Sequence, residues 1–364
     1  TVVKAGGLSL SDNFAFTGTV SGVFDDDKIV NDLSSLALRE ASNENRVAYN
    51  SNSSSVDVFQ DGTGIDTTSQ AERNTAEYVG TETSSNAYET GDRTSIYTVT
   101  NTFSRPLQSG HNINKWIDGS IGTNSSTAWK FNDAENMGGN CIFDLGSGNS
   151  KIYTGVKIIE DTASGVSAGN FSVQLSNTGN NDDFNSNKAT ITDTSGNAIS
   201  ANEFTWGSSS GNGTTEVLIV NTTDAAHRYI RIKAESSRGT VDKWQQEIQF
   251  KVKSFTYNAS GNFTGTTITA PSSVSSMGGI ITYQDNQGTN VLNTDIILQL
   301  SADGGSNFTT ATLEALPDFS TGIKMAKVND VSVTAGTSLK YKILFANQSS
   351  GSKEARIRGV SLQY

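Results

Sequence analysis

Apolar and polar residues alternate along most of this chain in short runs. "EVLIVN", "RYIRIKAE", "EIQFKVKSF", "GGIITYQDN", "DIILQLSADGG", "LKYKILFAN" and "EARIRGVSLQY" are separated by turns rich in Gly, Asn, Ser and Thr. A period of two places successive side chains on opposite faces of a strand. Short runs of this kind without intervening helical periodicity predict antiparallel sandwiches. One stretch departs from the pattern. "DDDKIVNDLSSLALREASNENRVAYN" predicts a helix over about 25–48, with Asp25, Asp26 and Asp27 capping its N-terminus and complementing its dipole. Ile29, Leu33, Leu36, Ala37 and Ala41 recur at three- and four-residue steps, a stripe that serves either as a packing face or as a two- or three-fold assembly seam. Before the helix, "FAFTGTVSGVF" reads as a strand. After it, the polar stretch from "NSSSVDVF" to "YVGTETSS" reads as an extended arm or linker. The fold expected is therefore mainly β: an N-terminal strand–helix arm (1–100) followed by two antiparallel, jelly-roll-like β-sandwich domains (101–253 and 254–364). In the last of these, Asp303-Gly304-Gly305 supplies the positive-φ positions of a hairpin turn.

Composition narrows the function. The chain has 364 residues, 17% of them charged against a typical ~25%. Ser, Thr, Asn and Gly take the place of charge, which favours strands and turns. A net charge of −11 argues against a general nucleic-acid binder, which needs a concentrated basic face. No apolar run approaches the ~20 residues of a membrane helix, and "TVVKAGGLSLSDNFAF" reads as carrying no secretory signal. A lone cysteine, Cys141, excludes an internal disulfide framework and a multi-cysteine zinc site, and its surroundings predict a buried strand thiol.

Candidate chemistry is sparse. "GVSAG" (Gly165–Gly169) matches the nucleophile-elbow spacing, but an alternating strand follows it where that motif needs a helix. No local motif supplies the carboxylate pair of a glycosidase. "HRYIRIKAE" reads as a sandwich wall, with Arg228, Ile230, Ile232 and Ala234 on the core face and Tyr229, Arg231 and Lys233 opposite.

The order "DGSIGTNSSTAW", "IFDLGS", "KIYTGVKII", "FSVQLSNTG" and "YIRIKAES…WQQEIQF", from Phe103 to Phe250, resembles the discoidin (coagulation-factor type C) module of the galactose-binding-like sandwich family. That resemblance implies an eight-stranded sandwich with binding loops at one end, commonly for glycans. It also implies a structural calcium ion held by Asp118 and Glu247, with backbone oxygens of Lys115 and Gln246 and a hydroxyl of the "SIGTNSST" loop completing a hard-oxygen shell. His111 and Trp116 are the glycan-contact candidates, whereas Trp129 and Trp244 match positions that pack in the wall. The C-terminal layout ending "ARIRGVSLQY", and the early segment "LSSLALREASNENRVAYNSNSSSVDVFQDGTGID", are similar to structural proteins of tailed, marine-type phages. The function this implies is a non-enzymatic virion component of tail fibre, baseplate or capsid decoration. Its partners would be other virion proteins, further copies of itself (a trimer favoured) and host-surface glycan, with no nucleic acid and no membrane insertion. The alternatives are a secreted or surface-bound bacterial carbohydrate-binding protein and, less favoured, a glycan depolymerase.

Overall fold

Alternation becomes antiparallel pairing through most of the chain. The structure, a computed structural model, describes residues 26–102, 113–121, 129–130, 139–160, 169–206, 213–236 and 244–364. The strand "FAFTGTVSGVF" falls outside them. Two compact units result: the described residues up to Thr83 with Tyr257–Tyr364, and Ser84–Thr256. The protein is mainly β, as the pattern predicts, but its division differs from the three consecutive segments expected.

The supposed linker supplies the difference. Ser54–Asp57 pairs with Glu354–Gln363, running Ser54↔Gln363 to Asp57↔Val360. Ile65–Ser69 pairs with Gly261–Gly265, and Tyr78–Gly80 pairs with Glu354–Gln363 at Val79↔Ile357 and Gly80↔Arg356. Most of its few apolar residues fall on the core side: Val56, Val58, Phe59, Ala71, Tyr78 and Val79 are buried. A polar segment with so little apolar content has no core of its own, and the sheet of the distant C-terminal strands gives it one.

Within that unit, Ile268–Gln287 and Ile323–Phe345 form the spine, pairing from Ile268↔Leu339 to Tyr283↔Lys324. The register shifts between Thr269 and Val274, a stretch that contains Pro271, which has no N–H to give to the ladder. The end of Ile323–Phe345 pairs with Gly261–Gly265 and with Ile296–Ser301. One buried cluster gathers Phe263, Ile281, Leu298, Ile343 and Ile357 from these strands, with the Phe59 ring edge-on to Phe263 at 5.6 Å. The predicted glycine turn forms, with Gly304 and Gly305 at φ 78° and 89°.

The helix spans Asp26–Asn43, shorter than expected, and is followed by Asn45 in the left-handed region at φ 51°. Its orientation also departs from the expectation. Leu38 and Ala41 are buried against Val56, Val58, Ile280 and Met325, while Asn31 and Ser34 lie buried in the turns before them. Gln363 donates from Nε2 to Ser34 Oγ at 2.8 Å. Of the predicted stripe only Ala37 and Ala41 turn inward. Ile29, Leu33 and Leu36 remain 43%, 62% and 60% exposed. A helix with two seven-residue rhythms, Asn31-Ser34-Leu38-Ala41 and Ile29-Leu33-Leu36, can present only one of them to the sheet. The sheet takes the slimmer, hydrogen-bonding one.

The second unit is a sandwich. One sheet runs in the order Ile191–Thr192, Thr214–Ile219, Ile152–Glu160, Trp244–Tyr257, Glu82–Tyr88, with Trp129–Lys130 added to Trp244–Tyr257. The other runs Phe204–Trp206, Gly169–Ser176, Tyr229–Ala234, Asn140–Asp144, Thr98–Asn101. Phe143 of one and Phe250 of the other meet edge-to-face at 4.9 Å, within a core that includes Cys141, Val156, Ile158, Phe171, Ile230 and Ile232. Cys141 is the buried thiol expected, its pKa pushed up by burial.

One buried acid sets a pH response. Asp57 lies at the end of its strand, nearly inaccessible, with Oδ1 accepting from the Phe59 N–H at 2.8 Å and Oδ2 without a partner. Burial foremost pushes its pKa up to about 6. Because the folded state then binds the proton more tightly than the unfolded chain, the stability this group contributes is fully present below about pH 4 and is lost as pH rises through about 6. Asp57→Asn should abolish this component. In urea titrations the variant should gain roughly 1–3 kcal/mol on the wild type between pH 4 and pH 7, and a constant difference across that range would refute the assignment.

Candidate functional site

Three segments of the sandwich converge on the carboxylate of Glu247. The first is the turn Gly91–Arg93, the second the short 3-10 helix Ile113–Trp116 with the turn after it, and the third the strand Trp244–Tyr257, in which Glu247 is fully buried. Asp118 accepts from the Ser120 N–H at 2.9 Å, which closes an Asx turn. Gly119, at φ 76°, approaches the Gly91–Asp92 peptide so closely that an added Cβ would sit 2.8 Å from the Gly91 carbonyl carbon. Its N–H donates to Glu247 Oε2 at 3.3 Å.

Arg93 fills the junction. Its guanidinium pairs with Glu247 Oε1, donates from Nη1 to the Ile248 carbonyl at 2.7 Å and from Nε to the Gly91 carbonyl at 3.0 Å. Its backbone N–H donates to the Ile117 carbonyl at 2.8 Å. Both side chains of the pair are essentially inaccessible, and burial pulls the arginine's pKa down from its ordinary value. Sequence reasoning missed Arg93 because it sits in a polar "GDRTS" turn far from Glu247 along the chain.

Of the expected calcium ligands, Asp118 lies in the turn whose Gly119 N–H reaches Glu247, and Lys115 is half-buried in the 3-10 helix before that turn. Gln246 lies in the same strand as Glu247, its side chain outside the described residues, as are most of the "SIGTNSST" loop and His111. The residues do not fit the ion as arranged. Calcium would have to share Glu247 with a guanidinium already ion-paired to it, in a dry site where two cations repel strongly. Among the described residues no group of three or more His, Cys, Asp or Glu side chains is placed to hold a metal.

Trp116 is not the glycan platform expected. It is fully buried and stacks near Phe143 at 6.4 Å between centroids. The tryptophan ends a single 3-10 turn and packs into the core, so its indole offers no face to a sugar.

The "HRYIRIKAE" strand keeps its predicted core face, with Ile230, Ile232 and Ala234 fully buried and Arg228 forked onto Asp144 at 2.7 and 2.9 Å. Its other face is not open to solvent throughout. Arg231 lies buried under the short helix Asn181–Ser186, where it donates to Gln174 at 2.7 Å, Asn181 at 2.7 Å and Asn185 at 2.9 Å, above the Phe184 ring. Amide oxygens alone satisfy this buried cation. His227 is half-buried, its pKa lowered by burial, and its backbone exchanges two hydrogen bonds with Lys151. Lys151 in turn pairs with Glu89, which accepts from the Tyr97 hydroxyl at 2.7 Å. These charged groups hold the sandwich together.

No protein-family model and no curated protein sequence matches the chain. Solved structures similar to it include a fucolectin from striped bass (Morone saxatilis) serum, at 9% identity and TM-score 0.34, covering 76% of this chain and 98% of that one. Another is the lectin domain of lectinolysin complexed with Lewis B antigen, at 15% identity and TM-score 0.26, covering 42% and 91%. A third is truncated AlyQ with CBM32 and alginate lyase domains, at 12% identity and TM-score 0.32, covering 78% and 91%. None of these likenesses, each below 0.5 in TM-score, bears on the function proposed below.

Two substitutions test the geometry. Arg231→Lys keeps the charge but cannot span three acceptors. It should lower unfolding stability by about 2 kcal/mol in urea titration, and an unchanged midpoint would contradict the buried fork. Gly119→Ala should destabilise by about 1–3 kcal/mol, because it adds both a clash and an unfavourable φ.

Proposed function

We propose that the chain is a non-enzymatic structural component of a tailed-phage virion that self-associates through the helix Asp26–Asn43 and whose sandwich Ser84–Thr256 meets host-surface glycan. The observation that carries this reading is the outward face of the helix. Leu33 and Leu36 are the most exposed of the large apolar residues described, and Ile29 stands exposed on the same face, while the same helix buries asparagine and serine. An apolar stripe left in water beside a polar one taken into the protein is the arrangement of an assembly seam.

A non-catalytic role is supported by how the charged groups are employed. Arg93, Arg228, Arg231 and Lys151 are all engaged in internal contacts, and the only cysteine is sealed in the core. The glycan part rests on the discoidin-like motifs, with His111 as the remaining sequence candidate after the burial of Trp116. The virion part rests on the resemblance of the early and C-terminal segments to phage structural proteins. Other virion proteins are the further partners this reading names.

The test is light scattering after size-exclusion chromatography. The chain should run as a defined homo-oligomer, a trimer being favoured, and Leu33→Glu with Leu36→Glu should shift it to monomer without loss of the β-rich circular dichroism spectrum. A wild type that is strictly monomeric and binds sugars on a glycan array would instead favour a bacterial carbohydrate-binding protein.

A further inference from the structure

The junction at Glu247 has the connectivity of a metal site without an acidic cluster. One charged centre ties a turn (Gly91–Arg93), a second turn (Ile117–Gly119) and a strand (Glu247–Ile248) to one another, using a buried carboxylate and backbone carbonyls as its acceptors. A hard divalent cation is held by the same donor types, a carboxylate and carbonyl oxygens. Here the centre is planar and cationic and is delivered by the chain itself.

We infer that the Arg93 guanidinium stands as a built-in cation at this junction, so that the sandwich is closed by an arginine and takes no calcium there. The geometry is specific to a guanidinium. Nη2 faces Glu247, Nη1 faces the Ile248 carbonyl, and Nε faces the Gly91 carbonyl of its own turn. Three directed donors in one plane reach three acceptors on two segments, which an ammonium on a flexible stem does not reproduce. The backbone of the same residue adds the link to Ile117, so side chain and main chain together span all three segments. Glu247 has its second oxygen on the Gly119 N–H, and the close approach of Gly119 to Gly91 leaves the two turns in direct contact.

A tethered cation has consequences that a bound one lacks. It cannot be removed by chelation, and closure does not depend on the calcium concentration outside. The two alternatives are mutually exclusive at Glu247, because the carboxylate that would ligand calcium is ion-paired and desolvated.

The test uses the full chain. Thermal unfolding of the wild type should be the same in millimolar calcium and in excess EDTA, and titration calorimetry with calcium chloride should show no binding at this junction. Arg93→Ala should lower the melting temperature of the sandwich transition by roughly 10 °C, and millimolar calcium should restore part of that loss in the variant alone. A wild type that binds calcium with Glu247-dependent stoichiometry, or melts lower on chelation, overturns the inference. So does an Arg93→Ala protein that melts like wild type, or one that calcium does not rescue. Should the variant fail to fold, the chelation and calorimetry results on the wild type decide the question.

Discussion

Pairing between residues far apart in sequence is the constraint on which this structure depends. The strand Glu354–Gln363 is flanked by Ile268–Gln287 on one side and by Ser54–Asp57 and Tyr78–Gly80 on the other. None of these neighbours is adjacent to it along the chain. The segment 50–80 has too few apolar residues to collapse alone, so its order is conditional on the C-terminal strands being in place. The entropy of closing such a loop must be met before any contact offsets it. The sandwich Ser84–Thr256 sits inside that loop as an insertion, entered and left through the paired strands Glu82–Tyr88 and Trp244–Tyr257.

That constraint explains which parts of the fold were legible in sequence. Local alternation identifies strands because a pleat imposes its period on neighbouring residues, and the walls at Tyr229–Ala234 and Ile296–Ser301 follow it. Partner choice leaves no local mark. "SSSVDVF" is a short alternating run whether it ends in a linker or in a twelve-stranded sheet, so 1–100 reads as an arm until its partners are known. The helix shows the same limit in another form. Its apolar residues were identified correctly, but hydrophobicity gives no weight to Asn31 and Ser34, which dock because Gln363 offers them a hydrogen bond.

The candidate site was legible in half. The turn that carries Asp118 does reach Glu247, through the Gly119 N–H, because the order of motifs fixes the sandwich and the sandwich fixes which loop reaches which strand end. Arg93 was not legible, since a turn arginine among Gly, Asp and Thr resembles a solvated charge. Trp116 failed for a related reason. A tryptophan beside a predicted loop suits a sugar platform and a core anchor equally, and only the direction of the 3-10 turn separates them.

Taken together, the charged residues divide by location into two kinds. Two buried arginines are fully engaged, Arg93 with one carboxylate and two carbonyls and Arg231 with three amide oxygens and a ring, while the partly exposed Arg228 forks onto the two oxygens of Asp144. Breaking the contacts of Arg93 or Arg231 leaves a buried ion uncompensated, so each fixes one arrangement of its segments rather than adding much net stability. Towards solvent the chain is mostly uncharged, polar and turn-rich, with a net charge of −11 that keeps copies apart. Any self-association would have to overcome that repulsion through local apolar contacts such as the exposed Ile29, Leu33 and Leu36. Interior order thus rests on a few fully engaged cations, while the helix leaves an apolar stripe towards solvent.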